Sequence, residues 1–347
     1  MNNDLSSYFE DPEFKEALEK YEGMVKNHTP AYFDADELTD IAEYYASKGR
    51  QIEAEAAIDF ALQLHPNDTD ALIFRARSLA MKGRLDEAYM VMDLIEDRSD
   101  REVRFLKADL LMEEKRMEEA DHVFEELAAY EEGKLETLID IILAYIDANQ
   151  EALAKKWIKH VGETYDLASL SQKNQKFRDL LCDFYITFNN PEAAIPLLQA
   201  TLDCYPYSIN HWNSLGKCYL STNDYEEAHE AIDFALAIDD SNAEALTLKA
   251  FCYQQSGELQ KSCDYYLRLA EQQENKTRAY LALAKTYFEM QDYTSSIYYI
   301  EALLDNKDAL SKYELSELYG DIALCHAALK HIGVGQASIR RSLELNE

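Results

Sequence analysis

The chain has 347 residues, and its 66 Asp and Glu against 34 Lys and Arg give a formal net charge of −32. So large an excess of negative charge repels phosphate backbones and anionic lipid headgroups, so nucleic-acid and membrane partners are disfavoured. No segment approaches the ~18 consecutive apolar residues that a membrane-spanning helix needs, and the first five residues lack the basic and apolar regions of a secretory signal.

The first predicted element is a lone amphipathic helix over residues 12–26. Phe14, Leu18, Tyr21 and Val25 recur on one face at helical spacing. We assign residues 1–34 to an N-terminal helical cap, which either packs on the element that follows or docks elsewhere.

A small residue then returns at a nearly constant step through most of the chain. Successive members are 34, 32, 34, 40, 34, 34 and 34 residues apart, at Ala54, Ala88, Ala120, Ala154, Ala194, Ala228, Ser262 and Ser296. A period of this length predicts stacked supersecondary units rather than one globular core.

Other positions repeat in phase with this small residue. A mostly small residue lies twelve places earlier and a large one nine places earlier, such as Gly216 and Tyr219 before Ala228. A turn-prone or polar residue follows the large one by four places, at Gly49, Gly83, Lys115, Asn149, Asn189, Asn223, Gly257 and Gln291. Each window therefore predicts a helix, a tight turn and a second helix that approaches the first at the small residues.

Residues 209–242 carry the most complete copy of this pattern, with Trp212, Leu215, Gly216, Tyr219 and Ala228. This copy resembles the tetratricopeptide repeat, although Ile232 stands in the usual aromatic place and Asp240 where proline usually closes the unit. The resemblance implies an all-α, right-handed superhelical solenoid of stacked helix-turn-helix units with terminal capping helices.

Eight copies are predicted within residues 35–310. They begin at Ala35, Thr69, Arg101, Leu135, Gln175, Ile209, Ala243 and Thr277. The longer step before Gln175 places six extra residues, 169–174, in a longer loop or an extra helical turn. Residues 311–347 are predicted to form a C-terminal capping pair, with helical patterns over 311–330 and 336–345.

In the proteins that this chain resembles, the exposed stripe of each first helix lines a concave inner surface. In the first five copies this stripe is predominantly acidic, with Asp36, Asp40, Glu43, Asp70, Glu102, Asp109, Glu113, Glu136, Asp140, Asp147, Asp179 and Asp183. Farther along, the same stripe becomes neutral, aromatic and amide-rich, with Asn213, Lys217, Phe251 and Phe288 as candidate contact residues. The acidity has two interpretations, a binding function or a composition that keeps the surface soluble.

The resemblance and the acidic stripe predict a non-enzymatic scaffold that holds a partner protein or peptide, with a basic segment at the acidic N-terminal half. A homo-oligomeric structural adaptor is the alternative. A basic island beside Trp157 is either a solvated face or a self-association site. It consists of Lys155, Lys156, Lys159, His160, Lys173, Lys176 and Arg178.

No metal, cofactor or catalytic site is expected. His326 and His331 are five residues apart rather than at a metal-ligand spacing, and no glycine-rich phosphate loop is present. The six cysteines form no C-x-x-C pair, which favours reduced packing residues in a cytoplasmic protein.

Overall fold

The computed structural model describes residues 8–9, 11–28, 30–305 and 311–346. Within these residues the regular structure consists of twenty α-helices and the 3-10 helix Gln273–Asn275, without a β-strand. The predicted all-α class is confirmed. The helices are α1 Pro12–Asn27, α2 Ala35–Ser47, α3 Gln51–Leu64, α4 Thr69–Met81, α5 Leu85–Met92, α6 Arg101–Glu113, α7 Met117–Tyr130, α8 Leu135–Asp147, α9 Glu151–Thr164, α10 Leu167–Lys173, α11 Gln175–Thr187, α12 Pro191–Cys204, α13 Ile209–Thr222, α14 Tyr225–Ile238, α15 Ala243–Gln255, α16 Leu259–Ala270, α17 Lys276–Glu289, α18 Tyr293–Leu304, α19 Lys312–Ala328 and α20 Ile332–Asn346.

The chain divides into two compact units, Met1–Val161 and Gly162–Glu347, here called unit 1 and unit 2. In each unit a first helix is followed by a tight turn and a second helix. The turn residue adopts a positive φ of 53° to 78° at all eight places that the repeat pattern marked as turns. A left-handed residue just after a helix lets the chain reverse while the last carbonyls keep hydrogen-bond partners.

The recurring small residues lie where the two helices of a pair meet. Seven of them are fully buried and Ser296 is 1% exposed. Ser296 Oγ donates to the Ala284 carbonyl of the first helix at 2.9 Å, so two backbones approach within reach of a single hydroxyl. Larger side chains at these places would separate the helices.

Helix α1 packs on the first helix pair. Phe14 and Tyr21 are buried in one cluster with Phe33, Leu38 and Ile41. Of the two placements expected for this helix, the structure therefore shows the one against the first repeat.

The extra residues before α11 form the two-turn helix α10 rather than a loop. Arg178 is buried and holds this helix at its C-terminal end, since its Nη1 donates to the Ser171 and Gln172 carbonyls at 3.1 and 3.3 Å. Its Nε donates to Thr201 Oγ1 at 2.7 Å. Our assignment of Arg178 to an exposed basic island was wrong, because its guanidinium satisfies carbonyls that would otherwise lack partners.

Helix α20 begins at Ile332, four residues before the predicted start, and packs on α19 through small residues. A Cβ built on Gly335 would lie 3.3 Å from the Ala323 carbonyl oxygen. Nearby, Ser316 Oγ and Ser342 Oγ each donate to the other residue's carbonyl, at 2.9 and 2.8 Å. Close packing through small side chains leaves the larger side chains of α20 on its other faces.

Candidate protein-binding groove

Unit 1 contains an open cavity of about 1470 Å³, here called the unit 1 groove. Three of its acids, Asp36, Asp40 and Glu43, project from α2 at helical spacing, because residues four and three apart share a face. Asp70 comes from the first turn of α4 and Glu102 from the first turn of α6. Five of the predicted site residues therefore line one cavity.

Negative charge exceeds positive charge in this lining. Glu19 adds a sixth carboxylate, whereas the basic side chains in the lining are Lys15, Lys48 and Arg77. Arg77 is shared between two acids, with its Nη2 3.5 Å from Glu102 and its Nε 3.5 Å from Asp109. The groove thus has a net negative charge that its own residues do not neutralise.

Burial raises the pKa of several of these carboxyls. The pKa values of Glu43 and Asp70 are raised first by burial and then by neighbouring acids, while Arg77 opposes the shift at Glu43. Burial also raises the pKa of Asp40, partly opposed by a hydrogen bond from Tyr8. Asp109 lies outside the lining beside Arg77, and burial raises its pKa to about 6 despite this guanidinium. A cation entering this site would be favoured, because it would replace the solvation that these carboxylates have lost.

Aromatic side chains line the N-terminal end of the groove, and the sequence analysis did not identify them. Tyr8, Phe9, Tyr44 and Phe74 belong to the lining, and the Phe9 and Tyr44 ring centroids are 5.3 Å apart. The Tyr8 hydroxyl donates to Asp40 Oδ2 at 2.5 Å, so an aromatic ring and a carboxylate act together. In the sequence, the neighbouring aromatic residues Tyr8 and Phe9 were the signal that could have indicated this surface. Their position on the groove, however, depends on how α1 packs.

The other predicted acids of unit 1 lie outside this lining. Asp140 accepts a hydrogen bond from Arg101, which also lies 3.8 Å from Glu131, so part of the acidic stripe is neutralised within the protein. Asp109 is half-buried beside Arg77. The remaining three, Glu113, Glu136 and Asp147, are exposed on first helices.

The predicted site residues after these belong to unit 2. Asp179 Oδ1 is 3.5 Å from His211 Nε2, Lys217 forms an ion pair with Glu244, and Asp183 is exposed on α11. Phe251 and Phe288 are 42% and 39% exposed.

Asn213 is a correction, since it is buried rather than exposed on an inner surface. Its Nδ2 donates to Asn242 Oδ1 at 3.1 Å and to Glu244 Oε2 at 3.0 Å. Through its amide nitrogen, the side chain therefore joins α13 to the start of α15.

The predicted basic island is not one exposed surface. Trp157 is buried, and its Nε1 donates to Asp121 Oδ1 at 2.8 Å. Lys156 forms ion pairs with Asp121 and Glu125, both at 2.5 Å. These residues stabilise the contact between α7 and α9, which leaves less positive charge for a self-association site.

Among the described residues, no group of three or more histidine, cysteine or acidic side chains is arranged to hold a metal ion. The rings of His326 and His331 approach to 5.7 Å across the turn between α19 and α20. In the described part of the chain, no helix combines the length and apolar character needed to cross a membrane.

Comparison with known proteins places the repeat pattern in both units. The tetratricopeptide-repeat family model matches residues 39–89 and 213–277. A curated relative, the formate-dependent nitrite reductase complex subunit NrfG of Escherichia coli O157:H7, is 26% identical over 191 residues, which are 53% of this chain and 89% of that protein.

Two solved structures are similar to this chain at low sequence identity. The C-terminal part of a TPR repeat-containing protein from Cytophaga hutchinsonii is 18% identical with a TM-score of 0.53, covering 70% of this chain and 95% of its own. A tetratricopeptide repeat protein from Parabacteroides merdae is 15% identical with a TM-score of 0.44, and the match covers 67% of this chain and 91% of that protein. The chain therefore matches the tetratricopeptide-repeat family model in both units and has the helical-repeat fold of such proteins.

Proposed function

We propose that the protein is a non-enzymatic scaffold that holds a basic segment of a partner protein in the unit 1 groove. Tetratricopeptide-repeat proteins generally mediate protein–protein interactions, and their fold is typically a non-catalytic scaffold. The curated relative is by its name a subunit of a complex, which is the setting expected for such a scaffold.

The observation that carries the proposal is the excess of carboxylates in the unit 1 groove. Six acids and three basic side chains line the cavity, and burial raises the pKa values of Asp40, Glu43 and Asp70. A concave surface of one charge sign concentrates its field and attracts an oppositely charged segment before contact. Lysine or arginine side chains entering the groove would restore the charge balance.

The lining also favours an apolar or aromatic group beside the basic residues. Phe9, Ile73, Phe74 and Met81 supply apolar surface within the same cavity. Aromatic and aliphatic contacts of this kind contribute affinity that salt changes little, whereas the carboxylates contribute association rate and register. The partner segment is therefore expected to be amphipathic as well as basic.

Phe251 and Phe288 of unit 2 offer a separate contact for an apolar residue of a partner protein. Both rings are more than a third exposed, and Phe288 is held against Tyr293 with ring centroids 5.4 Å apart. Their substitution by alanine should weaken partner binding with little change in its salt dependence.

The first test is selection of binding peptides from a displayed random library on the full chain. Enrichment of peptides rich in Lys and Arg is expected. Anisotropy of one labelled peptide then gives Kd between ~50 and ~500 mM salt, where shortening of the Debye length should weaken binding.

The groove is tested with a matched pair of triple variants. Asp36→Asn, Glu43→Gln and Asp70→Asn together neutralise the groove, and Asp86→Asn, Glu96→Gln and Glu118→Gln remove the same charge from exposed sites elsewhere in unit 1.

An exposed ion pair contributes up to ~1 kcal/mol to binding. Loss of three such pairs should therefore weaken peptide binding by about 2 kcal/mol, a roughly thirtyfold increase in Kd. Equal losses in both triple variants would assign the effect to net charge. Selection of peptides without basic residues would remove the proposal.

We also propose that the protein acts in the cytoplasm. Five of the six cysteines are buried as free thiols, and burial raises the pKa of Cys182 to about 12. A second candidate role, a homo-oligomeric adaptor, is supported by an exposed apolar row on the last helix, formed by Ile332, Ile339 and Leu343.

A further inference from the structure

Helix α2 presents a regular stripe of side chains to the unit 1 groove. Asp36, Asp40 and Tyr44 of α2 and Lys48 just after it are each four residues apart, and all four belong to the lining. Residues at this spacing lie one turn apart on the same face of a helix. The stripe therefore passes from two carboxylates through an aromatic ring to an ammonium group.

The carboxylate of Asp40 is held by a residue that precedes α1. The Tyr8 hydroxyl donates to its Oδ2 at 2.5 Å, and a carboxylate accepts hydrogen bonds through both of its oxygens. Asp40 is also half-buried. Because one oxygen is held, the carboxylate has a set orientation toward a further donor that enters the groove.

The ring of Tyr44, one turn farther along the stripe, is held in an aromatic cluster. Phe9 and Phe14 pack beside it, with ring centroids 5.3 and 5.5 Å from its own. The Lys48 ammonium lies over the Tyr44 ring, 5.7 Å from its centroid. A positive group of the chain itself thus makes the cation–π contact that a partner's side chain would make.

A guanidinium group fits this surface better than an ammonium group. It is planar and carries several N–H donors, so it can stack on Tyr44 and donate to Asp40 at the same time. An ammonium group is compact and more strongly hydrated, so it loses more on leaving water. The chain already places one guanidinium between two carboxylates beside this groove, where Arg77 lies 3.5 Å from both Glu102 and Asp109.

Given the proposed function of the unit 1 groove, on which this step depends, we propose that an arginine of the partner segment anchors the segment here. Its guanidinium stacks on Tyr44 and donates to Asp40. The exposed side chain of Lys48 turns into solvent as the guanidinium takes its place on the ring. The groove therefore selects a basic segment that contains arginine over one that contains lysine alone.

Two labelled peptides of equal charge, nona-arginine and nona-lysine, separate a preference for arginine from a response to charge. Fluorescence anisotropy with the full chain should give a Kd about tenfold lower for nona-arginine. Tyr44→Leu should abolish this difference by weakening nona-arginine binding, while the Kd of nona-lysine stays unchanged. Tyr44→Phe keeps a ring and should keep the preference.

Tyr130→Leu is the matched control for loss of a tyrosine. Tyr130 is 66% exposed at the end of α7 and lies outside the groove lining, so its loss should leave the preference for nona-arginine unchanged. Asp40→Asn is a second variant that leaves the aromatic cluster in place. It should weaken nona-arginine binding more than nona-lysine binding, whereas Asp86→Asn, at an exposed site elsewhere in unit 1, should affect both peptides equally.

Equal Kd values for the two peptides on the unchanged chain would overturn the arginine anchor and leave the proposed function standing. A preference that survives Tyr44→Leu, or equal weakening of both peptides by Tyr44→Leu and by Asp40→Asn, would also overturn it. If neither peptide binds the unchanged chain, the proposed function fails and the arginine anchor fails with it.

Discussion

The close approach of α13 and α14 at Gly216 gives a prediction whose sign depends on packing. A Cβ added at Gly216 would lie 2.7 Å from Ile232 Cγ1 and 3.4 Å from its Cδ1. Ile232 is fully buried, and its β-branched side chain has essentially one favoured χ1 rotamer in a helix. Gly216→Ala must therefore shift either the isoleucine or the helices.

Two opposing effects determine how much Gly216→Ala changes the stability of unit 2. Alanine favours a helix interior over glycine by about 1 kcal/mol. Forcing an extra methyl group into a packed core costs about 1–3 kcal/mol. Since the expected contact is far inside van der Waals distance, we expect the packing cost to exceed the propensity gain and Gly216→Ala to destabilise unit 2 by about 1 kcal/mol.

Urea denaturation followed by tryptophan fluorescence measures this effect. The chain has two tryptophans, so a Trp157→Phe background leaves Trp212 of α13 as the reporter of unit 2. Gly320→Ala on α19 is the matched control, because the nearest atom to its Cβ would be Ser342 Oγ at 3.9 Å. This control should stabilise its helix by up to about 1 kcal/mol.

Equal stabilisation by Gly216→Ala and Gly320→Ala would refute the close approach. A double-mutant cycle with Ile232→Ala provides a second check. Once the isoleucine side chain is removed, the added methyl group has space, so the combined loss should be smaller than the sum of the single losses.

Three further predictions concern stability. Burial raises the pKa of Asp109 to about 6 from its ordinary 3.8, so the stability linked to its protonation is present below pH 4 and is lost as pH rises through 6. Relative to the unchanged chain, Asp109→Asn should therefore gain about 1 kcal/mol of unfolding free energy from pH 4 to 7, a value reduced for solvent screening. In Trp157 fluorescence melts on a Trp212→Phe background, a difference between the two chains that does not change with pH would contradict this prediction. Arg178→Met should lower the free energy of local opening of α10 by about 1–3 kcal/mol, which would appear as faster hydrogen exchange over residues 167–173. Unchanged protection of these amides would show that Arg178 does not hold the helix in place. Ala228→Leu should cost about 1–3 kcal/mol by overpacking, whereas Glu226→Gln should cost little, and equal small shifts in thermal melts would disprove the assigned phase of the repeat.

The helices and turns followed from local sequence. Small residues at a repeating interval fall where paired helices touch, and Gly, Asn and polar residues fall where φ must be positive, as at Asn223. These features depend on side-chain volume and backbone conformation within a few residues of each position. For this reason the helix contacts and the turns could be predicted in each repeat from one sequence.

The candidate site was only partly predictable, because residues on different helices determine its charge and shape. The acidic stripe of α2 could be read from spacing, but the neutralisation of Asp140 by Arg101 joins residues 39 positions apart. Tyr8 reaches Asp40 across 32 positions, and the burial of Asn213 depends on Asn242 and Glu244. Periodicity determined which face of each helix is apolar; only the packed structure decided which polar side chains find partners and, at Ile339, which apolar face remains uncovered.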